Sequence, residues 1–448
     1  MKYFPFIMMI AWFGSSLIAS AESDDVQKKL KEQAEMIRQL YVTMEAQKEE
    51  ISALKAKVHR MEGNQTPGHY ERDASGKIVW SRKDVAAEKG KSGFLSKYGV
   101  KFYGYIKADA AYDSSQMHAG NFGHYVLREK ETSGDQFSLT GNQTRFGFDI
   151  GDFAVDDAVA KIEVDFYGSN SPANKAKLRM RHAYVKWNAG DWVFAAGQTT
   201  DTIAQAVPNS IDFGYYHNRG KIGYRSPQII AMRKVKIGET LFSPTLAISR
   251  TEGKDYDEDG QNDGADAGFP TAQWALPLTG DWFGNGTAKL SVQGHYGVER
   301  VDASAHFVDG NLETWSLGGS WILPLTKSLV WKGTVWTGAN LDFYLGGIGQ
   351  GVDAAKGDVI EASGGWTQLG LKVSPKVTFN IGGGIDNPED EDLSEGKRAE
   401  NTHVSTNIYY NLEQGVQLGI EYQKIWTKYV GYETAKNDRV QGTVIYKF

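Results

Sequence analysis

The chain of 448 residues contains no cysteine. That removes disulfides, thiolate metal sites and cysteine nucleophiles. Proline is scarce, with 11 residues. Beyond residue 21 there is no apolar run of about 20 residues, the length that a membrane-crossing helix needs. The nine His show no zinc spacing such as HExxH, and no GxSxG elbow occurs. A basic excess is also missing. The formal charge of -6 argues against nucleic acid as a partner. What is abundant is glycine, with 51 residues, together with 12 Trp, 22 Tyr and 20 Phe. Only 41% of the chain is hydrophobic, and the mean hydropathy is negative. A membrane β-barrel has this profile, because only alternate residues of each strand meet lipid.

The N-terminal 21 residues read as a secretory signal peptide. Lys2 precedes a mainly apolar run from Phe4 to Ile18, and Ala19-Ser20-Ala21 is a small-residue cleavage pattern. Residues 22–62 then carry dense charge and a heptad. Leu30, Ile37, Met44, Ile51 and Val58 fill one position of its seam. Val26, Gln33, Leu40, Gln47, Leu54 and Met61 fill the other. A seam this regular over about five heptads predicts a coiled coil, and hence self-association. Gly63-Asn64-Gln65-Thr66-Pro67-Gly68 stops that helix, and residues 63–98 read as a linker.

From residue 99 to residue 448 the period is two. Phe102, Gly104, Ile106 and Ala108 alternate with Tyr103, Tyr105, Lys107 and Asp109. Ala160, Ile162, Val164 and Phe166 alternate with Lys161, Glu163, Asp165 and Tyr167. The last stretch, Arg439 to Phe448, sets Val440, Gly442, Val444, Tyr446 and Phe448 on one face and stops on the phenylalanine. A terminal strand of this kind resembles the closing strand of bacterial outer-membrane proteins, where no edge can stay unpaired in lipid. Long connections near 113–136, 201–226, 252–269, 300–311, 339–360, 387–401 and 429–437, with a shorter one at 169–175, alternate with short turns. The count predicts an all-β, 16-stranded transmembrane antiparallel β-barrel preceded by the signal peptide and the α-helical coiled coil. The connection at 201–226 is the candidate to fold inward and narrow the lumen.

Specific segments then point to a family. Tyr103-Gly104-Tyr105-Ile106-Lys107-Ala108-Asp109, Gln143-Thr144-Arg145-Phe146-Gly147 and Lys161-Ile162-Glu163-Val164-Asp165-Phe166 come first. Arg181-His182-Ala183-Tyr184-Val185, Ala196-Gly197-Gln198 and Tyr224-Arg225-Ser226-Pro227-Gln228 follow. With the coiled coil in front, the chain resembles the DcaP-like outer-membrane porins, best over residues 99–240. The resemblance implies a homotrimer in the lipid and lipopolysaccharide of the bacterial outer membrane, with the N-terminal helix in the periplasm. It also implies passage of small anionic solutes such as dicarboxylates, and no required cofactor. A general non-selective diffusion porin is the alternative. A barrel enzyme or an adhesive barrel stands behind it.

Two constellations carry chemistry. Alternation sends Lys107, Arg145, Lys161, Lys177, Arg179 and Arg181 into the lumen, with Leu178 and Met180 facing lipid. Arg219 and Arg225 lie at or just after the inward loop. Guanidinium groups meet carboxylates in a two-point fork, so such a cluster favours anions. Asp109, Asp149, Glu163 and Asp165 share these faces, and a wall of mixed charge that only holds shape and field is the other reading. The second constellation is the acidic stretch 255–266. Asp255, Asp257, Asp259, Asp263 and Asp266 fall at positions 1, 3, 5, 9 and 12, with Gln261 at 7 and Gly260 at 6. That spacing favours Ca2+ over a solvated loop tip. Position 12 is Asp where a helix-loop-helix site has Glu, and no amphipathic helix flanks the stretch.

Overall fold

The computed structural model describes residues 68–72, 78–82, 99–119, 121–128, 134–151, 158–168, 175–302, 310–412 and 415–448. The signal peptide expected at 1–21 and the coiled coil expected at 22–62 lie outside the described residues. Contacts divide the chain into two units, Met1–Lys91 and Ser92–Phe448. In the first, the stretch read as a linker contains two short strands, Gly68–Arg72 and Ile78–Arg82, paired antiparallel.

The second unit is a closed antiparallel barrel. Its strands are β1 (Val100–Asp113), β2 (Gln136–Thr140 and Arg145–Gly151), β3 (Ala158–Asp165), β4 (Arg179–Ala189), β5 (Trp192–Thr200), β6 (Arg225–Arg233 and Val235–Ile237), β7 (Thr240–Phe242 and Thr245–Ser249) and β8 (Thr271–Gly280). They continue as β9 (Ala288–Val301), β10 (Gly310–Pro324), β11 (Leu329–Ala339), β12 (Glu361–Lys372), β13 (Val377–Pro388), β14 (Arg398–Asn411), β15 (Val416–Tyr429) and β16 (Tyr432–Lys447). Nineteen hydrogen-bonded segments make sixteen staves because β2, β6 and β7 are each broken once. Each strand pairs with its sequence neighbour, and β16 pairs with β1, from Arg439 opposite Asp113 to Lys447 opposite Tyr105. The sheet thereby closes on itself, as a spanning sheet requires. Phe448 extends the closure, since its backbone exchanges two hydrogen bonds with Gly104 at 3.1 and 3.2 Å.

Burial runs opposite to that of a soluble protein. On β1, Phe102, Ile106 and Tyr112 are exposed while Lys107, Asp109 and Asp113 are buried. On β16, Val440, Val444 and Tyr446 are exposed while Arg439, Gln441 and Thr443 are buried. Apolar residues therefore clothe the outside and polar ones fill the inside, the pattern of a barrel in lipid.

Two details depart from the expected pattern. The long connection expected at 429–437 is a tight turn at Val430-Gly431, with Tyr429 opposite Tyr432 and Gly431 at φ 77. The polar residues that suggested a loop there continue the β15–β16 ladder instead. On β4 the register shifts opposite Glu163 and Val164, so that Glu163 faces His182 and Val164 faces Met180. This bulge turns His182 toward Glu163 along with Arg181, a position that strict alternation does not give.

The connection between β5 and β6, residues 201–224, does fold inward. Asp201 closes its base by accepting from Tyr224 N and Ser226 Oγ, both at 2.6 Å. Ile203 and Ile222 pack with Trp336, Leu341, Tyr344 and Ala362. Gly220 presses on the wall at φ +111, where a Cβ would lie 2.1 Å from the carbonyl oxygen of Gly365. Only glycine tolerates that approach.

Candidate functional site

The inward loop is bound to one side of the barrel. Thr202 N donates to Gln273 of β8 at 2.8 Å. Lys332 of β11 donates to the Val207 carbonyl at 2.8 Å. Asn209 N reaches Gln368 of β12 at 2.9 Å, and Asn407 of β14 donates to the Asn209 carbonyl at 2.9 Å. Glu421 of β15 accepts from Ser210 Oγ and Ile211 N, both at 2.8 Å. Lys107 of β1 donates to the Ile211 carbonyl at 2.7 Å. The loop is thus held by the strands from β8 round to β1, and the walls of β2 to β6 carry the basic residues. A cavity of about 370 Å³ opens between Tyr105, Lys107 and Gln143 on one side and Pro208, Asn209, Ser210 and Tyr215 on the other.

The basic residues of β2 to β6 form a ladder. Arg145 Nε lies 3.4 Å from Glu163 Oε1, which also accepts from Arg181 Nε at 2.7 Å. Arg181 Nη1 donates to Asp165 Oδ2 at 2.9 Å. Arg179 takes the same carboxylate in a two-point fork, Nε to Oδ1 at 3.0 Å and Nη2 to Oδ2 at 2.7 Å. Its Nη1 donates to the Tyr224 hydroxyl at 2.6 Å. The Arg225 guanidinium stacks over that same tyrosine, 4.1 Å from the ring centroid. Its Nε and Nη2 are buried and have no hydrogen-bond acceptor among the described residues. Three guanidinium groups, of Arg145, Arg179 and Arg181, thus meet the carboxylates of Glu163 and Asp165, and a fourth, of Arg225, joins the ladder through Tyr224 without a carboxylate of its own.

Of the other basic residues named from the sequence, Lys161, Lys107 and Arg219 are paired, and Lys177 is exposed. Lys161 lies 2.8 Å from Asp149 and donates to the Tyr103 hydroxyl at 3.0 Å. Lys107 lies 3.2 Å from Asp109 and also donates to Gln143. Arg219 is fully buried in the loop, 2.8 Å from Asp212, with Nη1 on Gln423 at 2.6 Å. It braces the loop and offers little to a solute. Leu178 and Met180 are exposed on the outer face.

Sequence reasoning missed three groups. Arg439 is fully buried against Asp113 where the barrel closes. Asp212 takes both of these influences: burial favours its neutral form, but the Arg439 and Arg219 guanidiniums outweigh burial and hold its carboxyl below the usual range. Lys221 lies within the loop and donates to His217 Nε2 at 2.7 Å. Burial pushes its ammonium down to about 7, with Arg225 adding to the effect and Asp201 opposing it. The run Arg219-Gly220-Lys221 was the available signal, a basic pair inside the loop already expected to turn inward.

The acidic stretch 255–266 lies between β7 and β8. One carboxylate oxygen from each of Asp255, Asp257 and Asp263 comes within 4.8 Å of the others. Asp259 and Asp266 are outside that group and exposed, and Gln261 is exposed as well. Gly260, at φ +89, makes the turn, and its N–H donates to Asp255 Oδ2 at 3.1 Å.

Residues 47–250 match the family model of the DcaP outer membrane protein. No curated protein matches the sequence. Among solved structures, the outer membrane channel DcaP of Acinetobacter baumannii is similar at TM-score 0.63 and 22% identity, over 78% of this chain and 97% of that one. An anion-selective porin from Comamonas acidovorans is similar at TM-score 0.53 and 11% identity, over 78% and 99% of the two chains. OprB of Pseudomonas putida is similar at TM-score 0.52 and 9% identity, over 79% and 95%. The closed barrel of sixteen staves is thus a porin-type fold, and within it residues 47–250 are similar to the DcaP outer membrane protein family.

Proposed function

We propose that the barrel is a passive channel for small hydrophilic solutes that favours small organic anions, dicarboxylates among them. The observation that carries this reading is the excess of two guanidinium groups on the ladder, with the Arg225 N–H groups left without an acceptor. A buried donor without a partner costs about 1–3 kcal/mol, more for a charged group, so Arg225 adds to the ladder a positive charge that no carboxylate offsets. Each arginine can hand a carboxylate to the next through two-point hydrogen bonds. Glu163 and Asp165 moderate the attraction, so that a solute is held loosely enough to leave. The outer membrane, with its lipid and lipopolysaccharide, is the proposed setting, and a homotrimer joined by the coiled coil at 22–62 is the proposed assembly.

The test is current block in planar bilayers. Succinate added to the wild-type channel is expected to interrupt the current. Arg225→Ala and the triple variant Arg145→Ala, Arg179→Ala, Arg181→Ala are expected to pass current without block. Equal block by a dicarboxylate and by a diamine of the same length would favour a non-selective diffusion porin instead.

A further inference from the structure

We propose that the β7–β8 loop holds a divalent cation of the calcium type through the carboxylates of Asp255, Asp257 and Asp263, and that the ion fastens the loop to the barrel rim. This site is separate from the arginine ladder and does not depend on the anion reading.

The first observation is convergence. Three carboxylates offer one oxygen each within 4.8 Å of one another, which is the span of ligands around a single hard cation. Like charges that close repel, and water alone screens them poorly where one is buried. The second observation is independent of the clustering. Asp263 is fully buried, yet its Oδ1 accepts no hydrogen bond. Its other oxygen takes the Tyr256 N–H at 3.0 Å. A buried carboxylate oxygen without a donor is costly unless something positive meets it.

The surroundings add negative charge. Glu299 of β9 is 1% exposed, and its Oε2 also lacks a donor. Asp302 offers its backbone N–H to Asp257 Oδ2 at 2.7 Å, tying the acidic loop to the end of β9. Lys254 is committed to Asp342 at 2.6 Å, and Arg300 lies beside Asp302 at 3.8 Å. Calcium takes six to eight oxygens, so backbone carbonyls and water would complete the shell. Positions 1, 3 and 9 of the spacing therefore act as ligands, while Asp259 and Asp266 at positions 5 and 12 stay outside.

The experiment uses the full chain in detergent, stripped with a chelator and then titrated with calcium chloride or magnesium chloride. An Asp-specific protease and trypsin report cleavage in the loop by mass spectrometry. Calcium in the range of about 0.1–1 mM, typical of extracellular modules, is expected to slow cleavage between Lys254 and Asp266. At ten times the dissociation constant the slowing is about tenfold. Magnesium at equal concentration should protect much less. Asp257→Asn and Asp255→Asn change partly or fully exposed positions and should abolish protection, with heat-modified gel mobility confirming a folded barrel. Cleavage that calcium does not slow in the wild type would overturn the proposal. Equal protection in wild type and both variants would do the same.

Discussion

The Arg219 guanidinium donates to the Asp212 carboxylate at 2.8 Å, and both side chains are wholly buried within the inward loop. The same guanidinium reaches the Gly123 carbonyl at 3.0 Å, and Asp212 accepts from Gly123 N at 3.2 Å. One ion pair therefore fastens the constriction loop to the first long loop. Removing one partner of a buried pair strands the other charge, at about 3–5 kcal/mol. Arg219→Ala is expected to release the loop, giving a larger and noisier single-channel conductance and a lower unfolding temperature. An unchanged conductance would mean that the loop is held by its wall contacts alone. Because the Asp212 carboxyl is held low, its contribution to stability is present above the ordinary carboxylate range. That contribution is lost only as pH falls through its depressed value.

Lys221 is expected to give the channel a pH response. Its ammonium is lowered from 10.5 to about 7, so it is charged below neutrality and uncharged above. The groups around it are His217, which burial keeps neutral, Arg225 and Asp201. Folding loses stability as pH falls from the ordinary lysine range to about 7, and is level below that. Chloride preference is expected to rise between about pH 8 and pH 6, as a further positive charge joins Arg225. Lys221→Met should flatten this step in the reversal potential. A step of the same size in Lys221→Met would assign the titration to another group.

Phe448 closes the barrel twice, through its backbone bonds to Gly104 and through its ring, which stacks on Phe102 at 5.2 Å. A stacked aromatic pair adds about 0.5–1.5 kcal/mol beyond its buried area. Deletion of Phe448 is expected to lower the yield of heat-modifiable barrel and its unfolding temperature. Phe448→Tyr, which keeps ring and backbone, should recover both.

The barrel was legible because period two persists from β1 to β16 and because the polar face recurs from strand to strand. Lys107, Asp109 and Glu163 lie inside as alternation implies. The turn at Val430-Gly431 was not legible, since Glu433, Thr434, Lys436 and Asn437 carry the composition of a loop. Only the ladder to β15, with Lys436 opposite Trp426, shows them as strand. The bulge at Arg181 and His182 leaves no mark in composition. Partner choice was the least legible. Arg439 and Asp113 are far apart in sequence and meet only because the sheet closes. Arg219 read as a cation for solutes because its sequence does not show that Asp212 turns back on it. In the acidic stretch the spacing named six positions, and the chain path brings three of them together.

The heptad at 22–62 gives a separate expectation. Barrel closure needs backbone pairing only after residue 99, so a chain lacking 22–62 should still assemble and conduct. Native gels and light scattering are expected to show trimers of lower yield or stability. Monomers from the deletion would make the helix the principal oligomeric contact.

The most direct test of the central claim is the reversal potential of the wild-type channel in a potassium chloride gradient. With three guanidinium groups on two carboxylates and Arg225 beside them without one, the account predicts a potential of the sign that marks chloride as more permeant than potassium. It also predicts that Arg225→Ala moves this potential toward potassium. A wild-type channel that prefers potassium, with Arg225→Ala leaving the potential where it was, would contradict it.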